Sequence, residues 1–229
     1  MSYWRNPSEF FQYLAENLSN APDDDQLPAM NALSEELDIS VARLREQLEV
    51  AKALGFVDVK PRTGIRRLPY SFLPAVWQSL AYAIEVDRGN FDLFTSLRKH
   101  PEMCFWHEAT EGLTPEDHNQ LRELMASAWA KMKGTPIRIP HNEHREFHLV
   151  IFRRLENPFV LGILEAYWEA YEAVGLNVYA DYNYLTEVWN YHQEMVDAIV
   201  AGDLDTGYQA LVDHTDLLYH RLGAGSPEW

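Results

Sequence analysis

The chain has 229 residues, enough for two small domains, and its apolar share of 47% is ordinary for a soluble globular protein. No run approaches the roughly eighteen apolar residues that a membrane span requires, and the N-terminus lacks the apolar stretch of a secretory signal. The single cysteine, Cys104, cannot form an internal disulfide, which fits a reducing compartment. Composition therefore predicts a cytoplasmic protein and excludes integral membrane proteins and disulfide-stabilised secreted domains.

The net charge of −16 at pH 7 is unevenly distributed along the chain. Residues 71–229 carry 24 Asp and Glu against 11 Lys and Arg, whereas residues 40–67 carry seven Lys and Arg against three Asp and Glu. DNA binding requires a local basic footprint and does not require a basic protein. The short basic stretch therefore keeps DNA binding open, while the acidic remainder would repel phosphate and confine the contact to one surface.

The first 70 residues predict three helices and a small hairpin. In chain order these are a helix that begins at Asn6-Pro7-Ser8-Glu9, a helix over 30–37, a helix from Ser40 to Leu54, a strand over 56–59, a turn over 61–64 and a return strand that begins at Ile65. Ser40 is a good N-cap, and Gly55 stands where a left-handed residue ends a helix. This order predicts a winged helix-turn-helix domain over residues 1–70.

A winged helix fits DNA because its third helix enters the major groove and its wing tip reaches the neighbouring backbone or minor groove. The alternative is a winged helix that is used only for protein contacts. The basic stretch coincides with the third helix and the wing, and this coincidence favours DNA.

A further pattern runs through the same residues: Leu27-Pro28, then residues 33–40, 44–48 and 55–64. In this order they resemble the DNA-binding domain of the GntR family. The DNA-contacting residues implied by the resemblance, together with the added Arg43, are Ser40, Arg43, Arg45, Arg62, Thr63 and Gly64. The chain departs from the family at Asn31 and Val41, where arginines are usual, and Arg43 replaces a usual proline. We therefore expect modest affinity for DNA.

Residues 71–229 predict an all-helical bundle without strand-like alternation, so the whole chain is mostly α. The predicted helices cover 72–87, 90–107, 115–133, 140–156, 158–174, 181–201 and 204–222, with Gly and Pro at the breaks. A bundle of this size has room for a central pocket.

Four histidines fall on the inward sides of three of these helices. His144 and His148 are four residues apart on one apolar face, His192 occupies a position in a buried stripe, and His214 flanks the stripe of the last helix. Converging imidazoles cannot all be protonated and need partners. A divalent metal meets this need by accepting neutral nitrogen lone pairs. The pattern favours a metal site, and four hydrogen-bonded core histidines are the alternative.

The order of several landmarks adds a second resemblance. These landmarks are Arg98-Lys-His-Pro-Glu102, His144-Arg-Glu-Phe-His148, Asn157-Pro158, His192 and Asp213-His214. Together they resemble the FCD sensor domain of the FadR subfamily of GntR regulators, which places such a domain over residues 71–229. The resemblance implies three metal ligands, His148, His192 and His214, with His144 standing where the family has an Asp.

An all-imidazole site lacks the negative charge of that Asp and favours zinc, with nickel, copper or iron(II) as alternatives, over manganese. The resemblance also implies that a small organic acid coordinates the metal, with Arg98 as its charge partner and Asn157 lining the site. For Arg98, an ion pair with Glu102 at i+4 is the alternative.

The sequence thus predicts a homodimeric transcription regulator, repressor or activator, that binds an operator in double-stranded DNA and is not an enzyme. Ligand binding in the helical domain would alter the spacing of two winged helices. Two other classes stay open. One is a metal-dependent enzyme with an accessory winged helix, for which Glu102 or Glu146 could act as acid or base. The other is a helical scaffold with structural histidines.

Overall fold

A computed structural model describes residues 8–20, 25–61, 64–175 and 181–223. The helices within these ranges are α1 Glu9–Asn20, α2 Met30–Glu36, α3 Val41–Ala53, α4 Leu73–Val86, α5 Gly89–Cys104, α6 Trp106–Glu111, α7 Pro115–Met132, α8 His141–Phe152, α9 Pro158–Ala173, α10 Tyr182–Ala201 and α11 Leu204–Gly223. The strands are β1 Val57–Lys60 and β2 Gly64–Arg67, paired antiparallel. The predicted fold class is confirmed. No described helix is both long and apolar enough to cross a membrane.

The chain divides into two compact units, Met1–Gln78 and Ser79–Trp229, called here the N-terminal and C-terminal units. The division falls inside α4, whereas the sequence predicts a boundary after residue 70. The first turns of α4 contact the end of α3: the Gln78 side chain donates to the Ala53 carbonyl at 3.0 Å. Pro74 lies against Gly55 so closely that a Cβ there would come within 2.5 Å of the proline ring.

The N-terminal unit is the predicted winged helix-turn-helix. The hydroxyl of Ser40 accepts from the backbone N–H of Arg43 at 3.2 Å, so this residue caps α3 as expected. Gly55 adopts φ +74°, the left-handed conformation predicted at the end of that helix. The core is apolar throughout; its buried members are Phe10, Leu14, Leu27, Leu33, Leu44, Leu48, Ala51, Val57 and Ile65.

Two helices of the C-terminal unit end earlier than the sequence predicted. The single helix expected over 90–107 breaks at Phe105 (φ −100°, ψ 7°) into α5 and α6. Trp106 follows this break fully buried, and its indole N–H donates to the Leu204 carbonyl at 2.9 Å. The helix expected over 140–156 ends at Phe152. Contacts between distant segments accompany both differences.

The second of these ends is held by a buried carboxylate on α7. Asp117 is fully buried and accepts hydrogen bonds from Arg153 and Arg154, which directly follow α8. Burial opposes ionisation of this carboxyl, but Arg154, the Thr114 N–H and Arg153 outweigh it and hold the pKa of Asp117 well below its usual range. The charged network therefore ties the segment after α8 to α7.

Candidate metal centre

The structure brings the four predicted histidines together inside the C-terminal unit. His144 and His148 lie one turn apart on α8, His192 lies on α10 and His214 on α11. If one ring nitrogen is taken from each histidine, the four nitrogens all lie within 4.8 Å of one another. These residues are called here the four-histidine cluster. His148, His192 and His214 are at most 2% exposed, so the cluster is an interior feature.

The rings of the cluster are close neighbours. Ring centroids are 4.5 Å apart for His192 and His214 and 4.8 Å apart for His144 and His192. The Nε2 atoms of His148 and His192 are 3.2 Å apart. Because a neutral imidazole carries one N–H, at most one hydrogen bond can join these two nitrogens in either direction. Only one of these two facing nitrogens can therefore carry the hydrogen between them, and the other presents its lone pair.

Several nitrogens of the cluster are buried without a hydrogen-bond partner: His144 Nε2, His192 Nδ1 and His214 Nδ1. Buried polar atoms in folded proteins almost always have a partner, and each exception requires an explanation. Core histidines that served only the fold would be expected to be hydrogen-bonded. Converging neutral rings, each with one lone pair, are instead a donor set that fits a divalent ion of borderline softness, such as zinc or nickel.

The protonation state of the cluster also suits a metal. Burial, followed by the charges of neighbouring imidazoles, holds the pKa of His144 and of His192 well below the usual value. Burial, followed by His148 and Arg98, does the same to the pKa of His214. These rings are therefore neutral at pH 7, which is the form in which imidazole binds a metal.

A buried ion pair adjoins the cluster on α5. Arg98 Nη2 donates to Glu102 Oε1 at 2.7 Å, with the two side chains 2% and 0% exposed. The i+4 ion pair that the sequence left as an alternative for Arg98 is thus present. Glu102 Oε1 also lies 3.1 Å from His148 Nδ1. Burial raises the pKa of Glu102, but Arg98 and His148 outweigh it, so the pKa lies below its usual value and the carboxyl is ionised.

Two tryptophans border the cluster. The Trp168 ring lies 4.8 Å from His144, and the Trp189 ring lies 4.7 Å from His192, measured between centroids. Both indole nitrogens are buried without a partner, as is the Nε of Arg98. All three groups donate hydrogen bonds and none accepts. The surroundings of the cluster therefore hold buried donors for which an anion would be the natural acceptor.

The structure assigns other contacts to the remaining residues that the sequence singled out in this unit. Asn157 is the N-cap of α9, and its side-chain oxygen accepts from the N–H groups of Phe159 and Val160 at 3.1 and 3.3 Å. Only its amide nitrogen is left for an effector. Glu146 is exposed, and Glu102 is engaged as described. Sequence reasoning missed the Glu102–His148 contact, since α5 and α8 meet only in the tertiary fold.

In the N-terminal unit the predicted DNA-contacting residues are distributed over α3 and the hairpin. Arg43 and Arg45 are exposed on α3, and Arg43 pairs with Glu9 at 2.6 Å. Ser40 caps that helix. Arg62 and Thr63 lie outside the described residues. Gly64 is exposed at the start of β2 with φ +77°.

Comparisons with known proteins agree with this architecture. A family model described as "FCD domain" matches residues 96–217, just over half of the chain. The chain is 27% identical to the Escherichia coli (strain K12) protein named "Uncharacterized HTH-type transcriptional regulator YieP". The match extends over 197 residues and covers 80% of each of the two chains. It shares its fold with the solved structure "Streptococcus agalactiae GntR", with a TM-score of 0.69 at 17% identity over 93% of this chain and 98% of that one. The chain therefore belongs to the FCD-domain family.

Proposed function

We propose that the protein is a dimeric regulator of the FadR subfamily that binds one divalent metal ion in the four-histidine cluster and responds to a small carboxylate at that ion. The observation that carries the proposal is the set of unpaired, buried nitrogens on His144, His192 and His214. A structural role leaves them unexplained, whereas a metal would take one lone pair from each ring of the cluster. His148, with its Nε2 facing His192, supplies the fourth nitrogen.

The charge balance of the site supports an anionic effector. Four neutral imidazoles contribute no charge, and Arg98 and Glu102 neutralise each other. A divalent ion in the cluster would therefore keep a charge of about +2 in a buried environment, which is costly unless an anion enters. A carboxylate would supply that anion, and the unpaired N–H groups of Arg98, Trp168 and Trp189 would supply its hydrogen bonds.

The number of ligands decides which ions permit such an effector. Zinc sites with four protein ligands are commonly closed tetrahedra, whereas sites that bind a further ligand keep an open position. Four histidines leave an open position only if the ion accepts five or six ligands. Nickel does so readily, and zinc does so by expansion. We therefore expect the effector to bind with an increase in coordination number, visible in the absorption spectrum of the cobalt(II)-substituted protein.

Elemental analysis of untagged protein tests the metal. We expect about one ion per chain in the wild type, on the basis of one donor set, and a sharp fall in His148→Ala and His192→Ala. His100→Ala is the matched control, since His100 is an exposed histidine of the same unit whose ring hydrogen-bonds to the Ser96 carbonyl of its own helix. Equal metal content in the wild type and both cluster variants would refute the proposal and leave the histidines as core residues.

Thermal shift with acetate tests the effector class. Acetate should raise the melting temperature of the metal-loaded protein but not of the chelator-treated protein, because it binds through the ion. Acetamide has nearly the same shape and no charge, so it should have no effect. An equal shift from acetate with and without metal would show that the carboxylate binds elsewhere.

The DNA-binding surface of the proposal is α3 and the wing of the N-terminal unit. Arg45 is exposed on α3, unlike Leu44 and Leu48 of the same helix, which are buried in the core. A single winged helix with so few basic contacts would bind an operator weakly, so two copies on two half-sites are required. The affinity gained by linking two such units comes from the dimer and needs no further contact to DNA.

Exposed apolar side chains in the C-terminal unit support a dimer. Tyr82 and Val86 on α4 are 74% and 67% exposed, and Leu93 and Leu97 on α5 are 71% and 51% exposed. Each pair is spaced i, i+4, so each forms a stripe on its helix. Light scattering should give twice the chain mass of 26.6 kDa. A monomer at micromolar concentration, with and without DNA, would contradict this part of the proposal.

A further inference from the structure

Both ring nitrogens of His148 lie within hydrogen-bonding distance of another group. Its Nε2 faces the Nε2 of His192 at 3.2 Å. Its Nδ1 lies 3.1 Å from Glu102 Oε1 and also 3.1 Å from Arg98 Nη2. All of these side chains are at most 2% exposed, so no solvent competes for the contacts. The hydrogen of a neutral imidazole sits on one nitrogen only, so the surroundings select the tautomer.

The two tautomers have opposite consequences for the cluster. With the hydrogen on Nδ1, His148 donates to Glu102, and the lone pair on Nε2 faces the other imidazoles. With the hydrogen on Nε2, Nδ1 would accept from Arg98, and Nε2 would direct an N–H towards His192. Only the first tautomer leaves Nε2 as a metal ligand.

The ion pair favours the first tautomer. Arg98 Nη2 already donates to Glu102 Oε1 at 2.7 Å, and its guanidinium lies over the Tyr167 ring, 4.4 Å from the centroid. Two donors converging on one carboxylate oxygen is an ordinary arrangement, because that oxygen carries two lone pairs. The second tautomer would instead place the Nδ1 lone pair 3.1 Å from a carboxylate oxygen, two acceptors without a hydrogen between them.

We propose that Glu102, held in place by Arg98, is a positioning residue of the metal centre: it accepts the Nδ1–H of His148 and so directs the Nε2 lone pair into the four-histidine cluster. The inference rests on the metal binding proposed above. In this role the Arg98–Glu102 pair supports His148, a metal ligand. Arg98 can then bind the effector only through the N–H groups that it does not donate to Glu102. Such supporting carboxylates raise the basicity of the histidine and fix its ring.

Glu102→Gln tests this role with two measurements on the full chain. Long-range ¹⁵N–¹H NMR of the metal-free protein should show His148 as the Nδ1–H tautomer in the wild type and lose that bias in the variant, because an amide presents both a donor and an acceptor. Competition with a chromophoric chelator should show zinc affinity reduced by about 10–100-fold in the variant.

Asp117→Asn is the matched control, because Asp117 is the other fully buried carboxylate bound to arginine in the described part of the C-terminal unit. It should lower stability and leave zinc affinity and the His148 tautomer unchanged. If Glu102→Gln does not fold, Glu102→Asp keeps the charge but withdraws the oxygen, and it should weaken zinc binding in the same way.

Two results would overturn the inference alone: an Nε2–H tautomer for His148 in the metal-free wild type, or zinc affinity in a folded Glu102 variant equal to that of the wild type. A wild type that binds no divalent metal would overturn the proposed metal centre itself, and this inference with it. The metal content of the wild type therefore separates the two failures.

Discussion

The two units of the chain place their polar chemistry in opposite locations. Among the described residues, every buried polar or charged side chain lies in the C-terminal unit: Thr95, Arg98, Glu102, Thr110, Asp117, Glu143, His148, His192, His214 and Thr215. The core of the N-terminal unit is apolar, and the arginines predicted to contact DNA and described in the structure are exposed on α3. Buried polar groups suit a small ligand that the C-terminal unit encloses. Exposed arginines suit a partner that binds to the surface of the N-terminal unit.

This difference predicts different sensitivities. Surface charges that meet DNA act through a screened field, so their effects depend on salt and leave stability nearly unchanged. Buried polar groups are costly unless every member is satisfied, so the C-terminal unit should depend on what occupies its interior. Removal of the metal, substitution of glycines and substitution of surface arginines each test a separate part of this contrast.

Removal of the metal should have the largest effect. At a thousandfold excess over the dissociation constant, a bound ion stabilises the folded state by about 4 kcal/mol. Chelation should therefore lower the melting temperature of the C-terminal unit by roughly 10 °C for a domain of this size. Calorimetry should show this shift in one transition, while the transition of the N-terminal unit stays in place. Equal shifts in both transitions would contradict the separation of the units.

A pair of glycine substitutions sharpens the comparison at the backbone level. Gly55 and Gly202 have nearly the same left-handed conformation, φ +74° and +76°. A Cβ on Gly55 would meet the Pro74 ring at 2.5 Å, whereas nothing lies within 4 Å of a Cβ on Gly202. Gly55→Ala should cost about 2–4 kcal/mol, strain plus overpacking, and Gly202→Ala about 1–2 kcal/mol from strain alone. Denaturant titration measures the free energy of unfolding of both variants. A larger loss for Gly202→Ala than for Gly55→Ala would contradict the close packing of Pro74 against Gly55.

The smallest effects on stability, and the clearest on DNA, should come from α3. Arg45→Ala should weaken operator binding by about 1–3 kcal/mol if the residue reads a base. Arg43→Ala should weaken it less, because Arg43 must first leave its ion pair with Glu9. That pair is largely exposed to solvent and contributes little to folding. Mobility shifts at several salt concentrations measure both variants, and unchanged binding in both would rule out docking through α3.

The four-histidine cluster could be predicted from sequence because helical periodicity determines which residues share a face. His144 and His148 are one turn apart beside the buried Phe147 and Ile151, and His192 occupies a position in a stripe with buried neighbours. The fold of the N-terminal unit followed from Ser40 and the turn residues in the same way. These signals are local, so a sequence displays them directly.

Other features depend on contacts that no local pattern displays. The break at Phe105 accompanies the hydrogen bond from Trp106 to Leu204, nearly a hundred residues away. The early end of α8 accompanies the contacts of Arg153 and Arg154 with Asp117 on α7. The role of Glu102 belongs to the same class, since its i+4 spacing from Arg98 revealed an ion pair but not the histidine that it contacts.

The most direct test of the metal centre is anomalous diffraction from crystals of untagged protein, recorded on both sides of the absorption edge of the ion identified by elemental analysis. The proposal predicts one peak per chain among His144, His148, His192 and His214, with metal–nitrogen distances of about 2.0–2.1 Å for zinc. A cluster with no anomalous peak in metal-supplemented crystals, and with the imidazoles hydrogen-bonded to one another or to water, would contradict it.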